Sequence, residues 1–173
     1  MKRTIAEAAQ TLLVQRHVKK LTVKDIVEEC HITRQAFYYH FADIPELLRW
    51  MIEGYFQQVL GETLAQEDGE AGLRCFFVMA INAAPYVEHG MKSNYGEELE
   101  RQLEGLLMGF LSHVAASRGL YARVSAREAE LLLRYHCGGV MFLLRDWKEQ
   151  DTAELDAIAH RLYQMMIREE NPL

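Results

Sequence analysis

The run RQAFYYHF over residues 34–41 is the densest set of side chains in the chain that could bind a partner. Read as a helix, it places Ala36, Phe37 and Phe41 toward a core and leaves Arg34, Gln35, Tyr38 and Tyr39 facing outward. Two tyrosines and an arginine on one outward face are odd for plain solvent exposure. Arginine and glutamine match the hydrogen-bonding edges of guanine and adenine, and tyrosine hydroxyls hold phosphate oxygens. Other chemistries find less support. Asp156 and His160 share a helical face, yet nothing near His31, His89, His113, His136 or His160 repeats the paired Glu-x-x-His of di-iron bundles. No glycine-rich phosphate loop or nucleophile elbow occurs. The residues therefore predict no enzyme, no metal and no cofactor.

Helices must position that face. Only three prolines occur, at 45, 85 and 172, and no β-type alternation of apolar and polar residues is present, so the pattern predicts an all-α fold of about nine helices. Their starts are marked by capping boxes, in which a short polar side chain caps a first-turn N–H and an acid three residues on reaches back. The pairs are Thr4/Glu7, Thr22/Asp25, Asp43/Glu46, Asn94/Glu97, Ser125/Glu128 and Asp151/Glu154. They predict helices from Thr4 to about Arg16, Val23 to about Cys30, across RQAFYYHF behind a Thr33 cap, and from Asp43 to about Ala65. A break at Asp68–Gly72 precedes a helix near Leu73–Ala83, a short one from Pro85, and a long one from Glu97 to about Ser117. Two more, near Ala126–Lys148 and Thr152–Ile167, form an antiparallel pair. The two short helices flanking His31-Ile32, supported by the first, have the layout of a helix-turn-helix.

Charge is uneven along the chain. Net charge is −6, but residues 1–50 hold eight Lys/Arg against six acids, which sets a mildly basic segment on an acidic body. Three cysteines at 30, 75 and 137 show no metal or disulfide spacing and read as reduced thiols. The longest apolar runs span about seven residues, far short of the roughly twenty a membrane span needs, and residues 1–10 turn acidic at Glu7 rather than opening a signal core. These features predict a soluble, cytoplasmic chain with no membrane partner.

The segment LTVKDIVEECHITRQAFYYHFADIPELL resembles the DNA-binding signature of the TetR (tetracycline repressor) family of bacterial regulators at Thr22, Ile26, Ile32, Thr33, Phe37, Tyr38, His40, Phe41 and Leu47. The resemblance covers residues 1 to about 50 and implies a double-stranded DNA partner. It implies that Thr22 and Thr33 hold phosphates at helix starts, that Arg34, Gln35 and Tyr39 face bases, and that Tyr38 and His40 bind the backbone, His40 partly packed. Two positions depart from the pattern. His31 stands where a turn glycine is usual, which places it in or near the left-handed region. Ile44 stands where a phosphate-binding lysine is usual, a loss worth about one unit of salt-dependence slope, with Lys24, Lys2 and Arg3 as candidates to compensate. More loosely, DIPELLRW over 43–50 and CGGVMFLLRDWKEQ over 137–150 resemble a subgroup related to activators of dihydroxyacetone kinase genes.

The expected division is a helix-turn-helix domain over 1–48 and a helical dimerisation and effector domain over 49–173. The last two helices carry the stripes Leu132, His136, Gly139, Val140, Leu143, Trp147 and Leu155, Ile158, Ala159, Leu162, Met166. The resemblance implies a homodimer through a four-helix bundle of this pair, at His136, Gly139, Val140, Leu143, Trp147, Leu155, Ile158, Leu162 and Met166. Such a dimer sets its recognition helices about 34–36 Å apart and selects a palindrome. Gly138-Gly139 suggests a close backbone crossing, and Gly105/Gly109 suggests close helix packing. Between the two parts, Tyr55, Phe76, Met79, Asn82, Tyr86, His89 and Phe110 either fill a core or line the cavity of a small-molecule effector. A co-activator whose body binds a protein partner is the alternative.

Overall fold

The computed structural model describes residues 1–168. Among these, nine α-helices and no strand are present: α1 (Lys2–Gln10, continued by a π turn over Thr11–Gln15), α2 (Val23–Glu29), α3 (Arg34–His40), α4 (Ile44–Leu64), α5 (Gly69–Met91), α6 (Gly96–Arg118), α7 (Ala126–Arg145), α8 (Glu149–Ala153) and α9 (Leu155–Arg168). The all-α class expected from the pattern holds. No helix of the described residues is long and apolar enough to cross a membrane.

The chain forms two compact units, one of residues 1–55 with 83–103 and one of 56–82 with 104–173. In the first, Ile5, Ala9, Leu21, Ile26, Phe37, Phe41 and Leu47 are buried together, and Leu99 of α6 closes the same core. The predicted face of the first helix is therefore the buried one. The connection after α1 is tied to the turn between α5 and α6, where the Leu21 N–H donates to Asn94 Oδ1 at 3.0 Å. Beside it, His17 takes a left-handed φ of 51° and stacks its ring 4.6 Å from that of His89.

In the second unit Phe76 stacks on Phe110 at 4.8 Å and Phe77 on Trp147 at 5.3 Å. The Arg118 guanidinium donates to the carbonyls of Thr63, Leu64 and Gln66 and so closes the end of α4. Asp156 pairs with Arg74, and His160 Nδ1 lies 2.9 Å from Glu70, tying α9 to α5. The shared face of Asp156 and His160 is thus a helix contact. Burial pushes the thiols of Cys30, Cys75 and Cys137 up from their ordinary values, which keeps them protonated.

Several predicted helix boundaries are corrected. Thr22, Asp43 and Ser125 cap as expected, accepting the N–H groups of Asp25, Glu46 and Glu128 at 3.2, 2.8 and 3.2 Å. Thr4 lies inside α1, and Glu7 instead pairs with Arg3 at 3.0 Å. Asn94 gives its oxygen to Leu21, and Asp151 accepts the Lys148 N–H at 2.9 Å from the third position of α8 instead of starting a helix. The expected break at Asp68–Gly72 is a helix start. Asp68 caps it by accepting the Ala71 N–H at 2.8 Å. Gly69 and Gly72 are small because a Cβ there would meet the Tyr163 ring at 2.5 Å or the Thr63 carbonyl at 3.0 Å. Pro85 lies inside α5 and does not divide it. A proline costs a helix roughly 3 kcal/mol, but packing of Phe76 and Phe77 on one side and Leu99 against Gly90 on the other outweighs that local penalty.

Candidate nucleic-acid interface

The turn that sets α3 follows from the end of α2. His31 adopts φ 54°, the left-handed conformation expected for it. The Ile32 N–H then reaches back to the Val27 carbonyl at 3.0 Å and the His31 N–H to that of Glu28 at 3.4 Å. This pairing is a Schellman cap, and it satisfies carbonyls that the end of α2 would otherwise leave open. Thr33 begins α3 with an extended backbone, its hydroxyl accepting the Ala36 N–H at 3.1 Å. Thr22 does the same for α2 and also donates to the Asp25 carboxylate at 2.6 Å. Both threonines therefore stand at helix starts with their hydroxyls engaged in capping.

Along α3 the two sides separate as predicted. Phe37 is fully buried and Ala36 half-buried, while Arg34, Gln35, Tyr38 and Tyr39 are exposed, Tyr39 at 83%. Tyr38 stands edge-on to Phe37, with ring centroids 5.4 Å apart. His40 is half-buried with its ring edge-on to Tyr39 at 5.1 Å. Lys24 is exposed, and its ammonium lies 3.8 Å from the Glu28 carboxylate. Ile44 is buried at 3%, so this position serves the core. Sequence reasoning did not single out the contact of Lys2 with Phe41, whose ring centroid lies 5.0 Å from the Lys2 ammonium.

The other candidate sites are placed as follows. Of the effector candidates, Tyr55, Tyr86 and His89 fall in the first unit and Phe76, Met79, Asn82 and Phe110 in the second. Phe76 and Phe110 are buried against each other, half-buried His89 stacks on the exposed His17 ring, and Asn82 and Tyr86 are exposed. Burial raises the Tyr55 hydroxyl above its ordinary pKa, so it stays a neutral donor.

On α7 and α9, Val140, Leu155 and Met166 are buried within their own unit. Trp147 is held by Phe77 and donates its indole N–H to the Thr152 hydroxyl at 2.9 Å. His136, Leu143, Ile158 and Leu162 are half-buried and Gly139 is exposed. The open apolar side chains are Leu131, Tyr135 and Phe142, with Met165 on α9. With Gly138 they recur at i, i+4, i+7 and i+11 along α7, opposite the inward side chains of Cys137 and Val140. That spacing was readable in the sequence, but a helix apolar on two sides gives two stripes, and the predicted one lies between them. A groove of about 440 Å³ beside this face is lined by Arg134, Tyr135, Gly138, Leu143, Leu162 and Met165, among others. Gly105 and Gly109 have nothing within 4 Å of an added Cβ, so the close packing expected of them does not occur within the chain.

Residues 5–50 match the family model described as "Bacterial regulatory proteins, tetR family", and the remainder of the chain lies outside the match. A comparison with curated proteins finds no match. Among solved structures, the chain is similar to the TetR family transcriptional regulator PfmR from Thermus thermophilus, at 18% identity over 96% of this chain and 97% of that one, with a TM-score of 0.48. It is also similar to the probable transcriptional regulatory protein RHA5900, at 17% identity over 100% of both chains and a TM-score of 0.42. At those values the two likenesses carry no weight for function. None of these comparisons reaches the dihydroxyacetone kinase activator subgroup.

Proposed function

We propose, from an N-terminal segment similar to the tetR family, that the chain is a sequence-specific DNA-binding transcriptional regulator acting as a homodimer in the cytoplasm. The observation that carries the reading is the exposure pattern of α3, which buries Phe37 and presents Arg34, Gln35, Tyr38 and Tyr39 together. Arg34, Gln35 and Tyr39 read base edges in the major groove, and Tyr38, His40, Thr22, Thr33 and Lys24 fix the helices against the backbone. Residues 1–48 are then the DNA-binding part and 49–173 the dimerisation and effector part.

The homodimer reading is supported by the outward apolar face of α7. Gly138 and Gly139 have nothing within 4 Å of an added Cβ, so no contact within the chain accounts for either glycine. A second copy crossing there at close range does account for them, and Leu131, Tyr135, Phe142 and Met165 give it the apolar surface a two-fold contact needs. A small-molecule effector is the proposed control, acting by favouring a conformer that releases DNA.

Selection from a randomised double-stranded DNA pool at about 0.1 M salt tests the reading at a stringency where phosphate contacts alone bind weakly. Enrichment of an inverted repeat by the wild type, and its loss in Tyr39→Ala, is the expected result. Failure of the wild type to enrich any sequence would overturn it.

A further inference from the structure

Half of the basic side chains in residues 1–50 are engaged with acids. Arg3 pairs with Glu7 at 3.0 Å, Arg16 with Glu29 at 2.8 Å, Lys24 with Glu28 at 3.8 Å and Arg49 with Glu98 at 3.9 Å. Each such pair cancels much of the charge that a phosphate would meet. Lys2 is held differently: its ammonium stands over the ring of Phe41, which ends α3 and is only 1% exposed. An aromatic ring orients a cation without neutralising it, and leaves its N–H donors free for a second partner.

The place where Lys2 is held matters. Three residues beyond Phe41, Ile44 opens α4 with its side chain in the core. The corner between them carries two carboxylates and no cation of its own. Asp43 accepts the Glu46 N–H at 2.8 Å, and Glu46 accepts the Ala42 N–H at 2.6 Å. A DNA backbone approaching this corner would meet like charge unless a cation is supplied from elsewhere in the chain.

We propose that Lys2, seated on Phe41, holds a DNA phosphate at the corner between α3 and α4. The proposal rests on the DNA-binding reading above and selects one of the three cations that the sequence offered for the task. Arg3 is already paired with Glu7 on its own helix, and Lys24, facing Glu28, is assigned to the backbone beside α2.

The test is the affinity of the full chain for a duplex carrying the selected inverted repeat, measured from 50 to 200 mM KCl. Each copy of Lys2 on the duplex should account for about a 3.5-fold share of the affinity lost over that range, since one phosphate contact contributes about 0.9 to the logarithmic slope. Lys2→Gln should lose that share, while Lys2→Arg and Arg3→Gln keep the wild-type slope. Thermal melting of Lys2→Gln should match the wild type. Parallel salt lines for wild type and Lys2→Gln, with sequence preference intact, would overturn the Lys2 contact alone. An equal loss in Arg3→Gln would also overturn it, by showing that any N-terminal charge serves. A wild type with no preferred duplex would instead remove the DNA-binding reading.

Discussion

Helices α3 and α7 both show aromatic rings to solvent, but the neighbours of those rings differ. On α3, Tyr38 and Tyr39 stand beside Arg34 and Gln35, and every exposed side chain ends in a group that can donate or accept a hydrogen bond. On α7, Phe142 at 70% exposed and Leu131 at 66% share an outward row with Gly138, in which Tyr135 is the polar member and Arg134 borders the row. The first face suits a hydrated, charged partner and gains from contacts that read chemical pattern. The second suits an apolar surface of matching shape and gains by excluding water. Aromatic exposure alone does not identify a partner; the groups flanking the ring do.

The largest way to break this comparison is Phe142→Glu. A charge on the apolar α7 face should weaken self-association by roughly 2–4 kcal/mol, the range of an interface hot spot, and leave the isolated fold unchanged. The expected result of sedimentation over a concentration series is a dimer for the wild type and a monomer for the variant. Arg34→Ala acts on the other face and should cost roughly 1–3 kcal/mol of binding at one base position while self-association persists. Equal losses on all duplexes would make Arg34 a phosphate contact instead.

Gly138→Ala sharpens the contrast because its two effects have opposite signs. Inside the chain the added methyl meets nothing, so melting of the dilute protein should rise by about 1 kcal/mol of helix stability. Association should weaken in the same variant, because the methyl stands where a second backbone would cross. The smallest effect is expected from His31→Gly. Relief of a left-handed histidine at φ 54° should stabilise the first unit by roughly 0.5–1 kcal/mol in thermal melts, with base preference unaltered.

Local chemistry was legible where it was decided locally. The caps at Thr22, Thr33 and Ser125, the left-handed His31 and the two sides of α3 each depend on a few adjacent residues. The misreadings share a cause. Asn94 looks like a cap, but a partner 73 residues away takes its oxygen. Pro85 looks like a break and Gly69 like a turn, but the first lies inside a helix held by packing on both sides and the second makes room for Tyr163. The charge expected to compensate at Ile44 could not be assigned from sequence, because only the fold shows which of three cations is left unpaired.

The hydrogen bond from Leu21 to Asn94, with Leu99 in the same core, bears on how the chain is made. Residues 1–55 leave the ribosome with that core incomplete, and Leu99 follows roughly 2–9 s later at ordinary elongation rates. Until then the emerging helices lack a wall, and folding of the first unit must wait for residues translated after an intervening piece of the second. A fragment ending near residue 50 should stay in that unfinished state. Grafting it onto another body would transfer the sequence of α3 without the support that orients it.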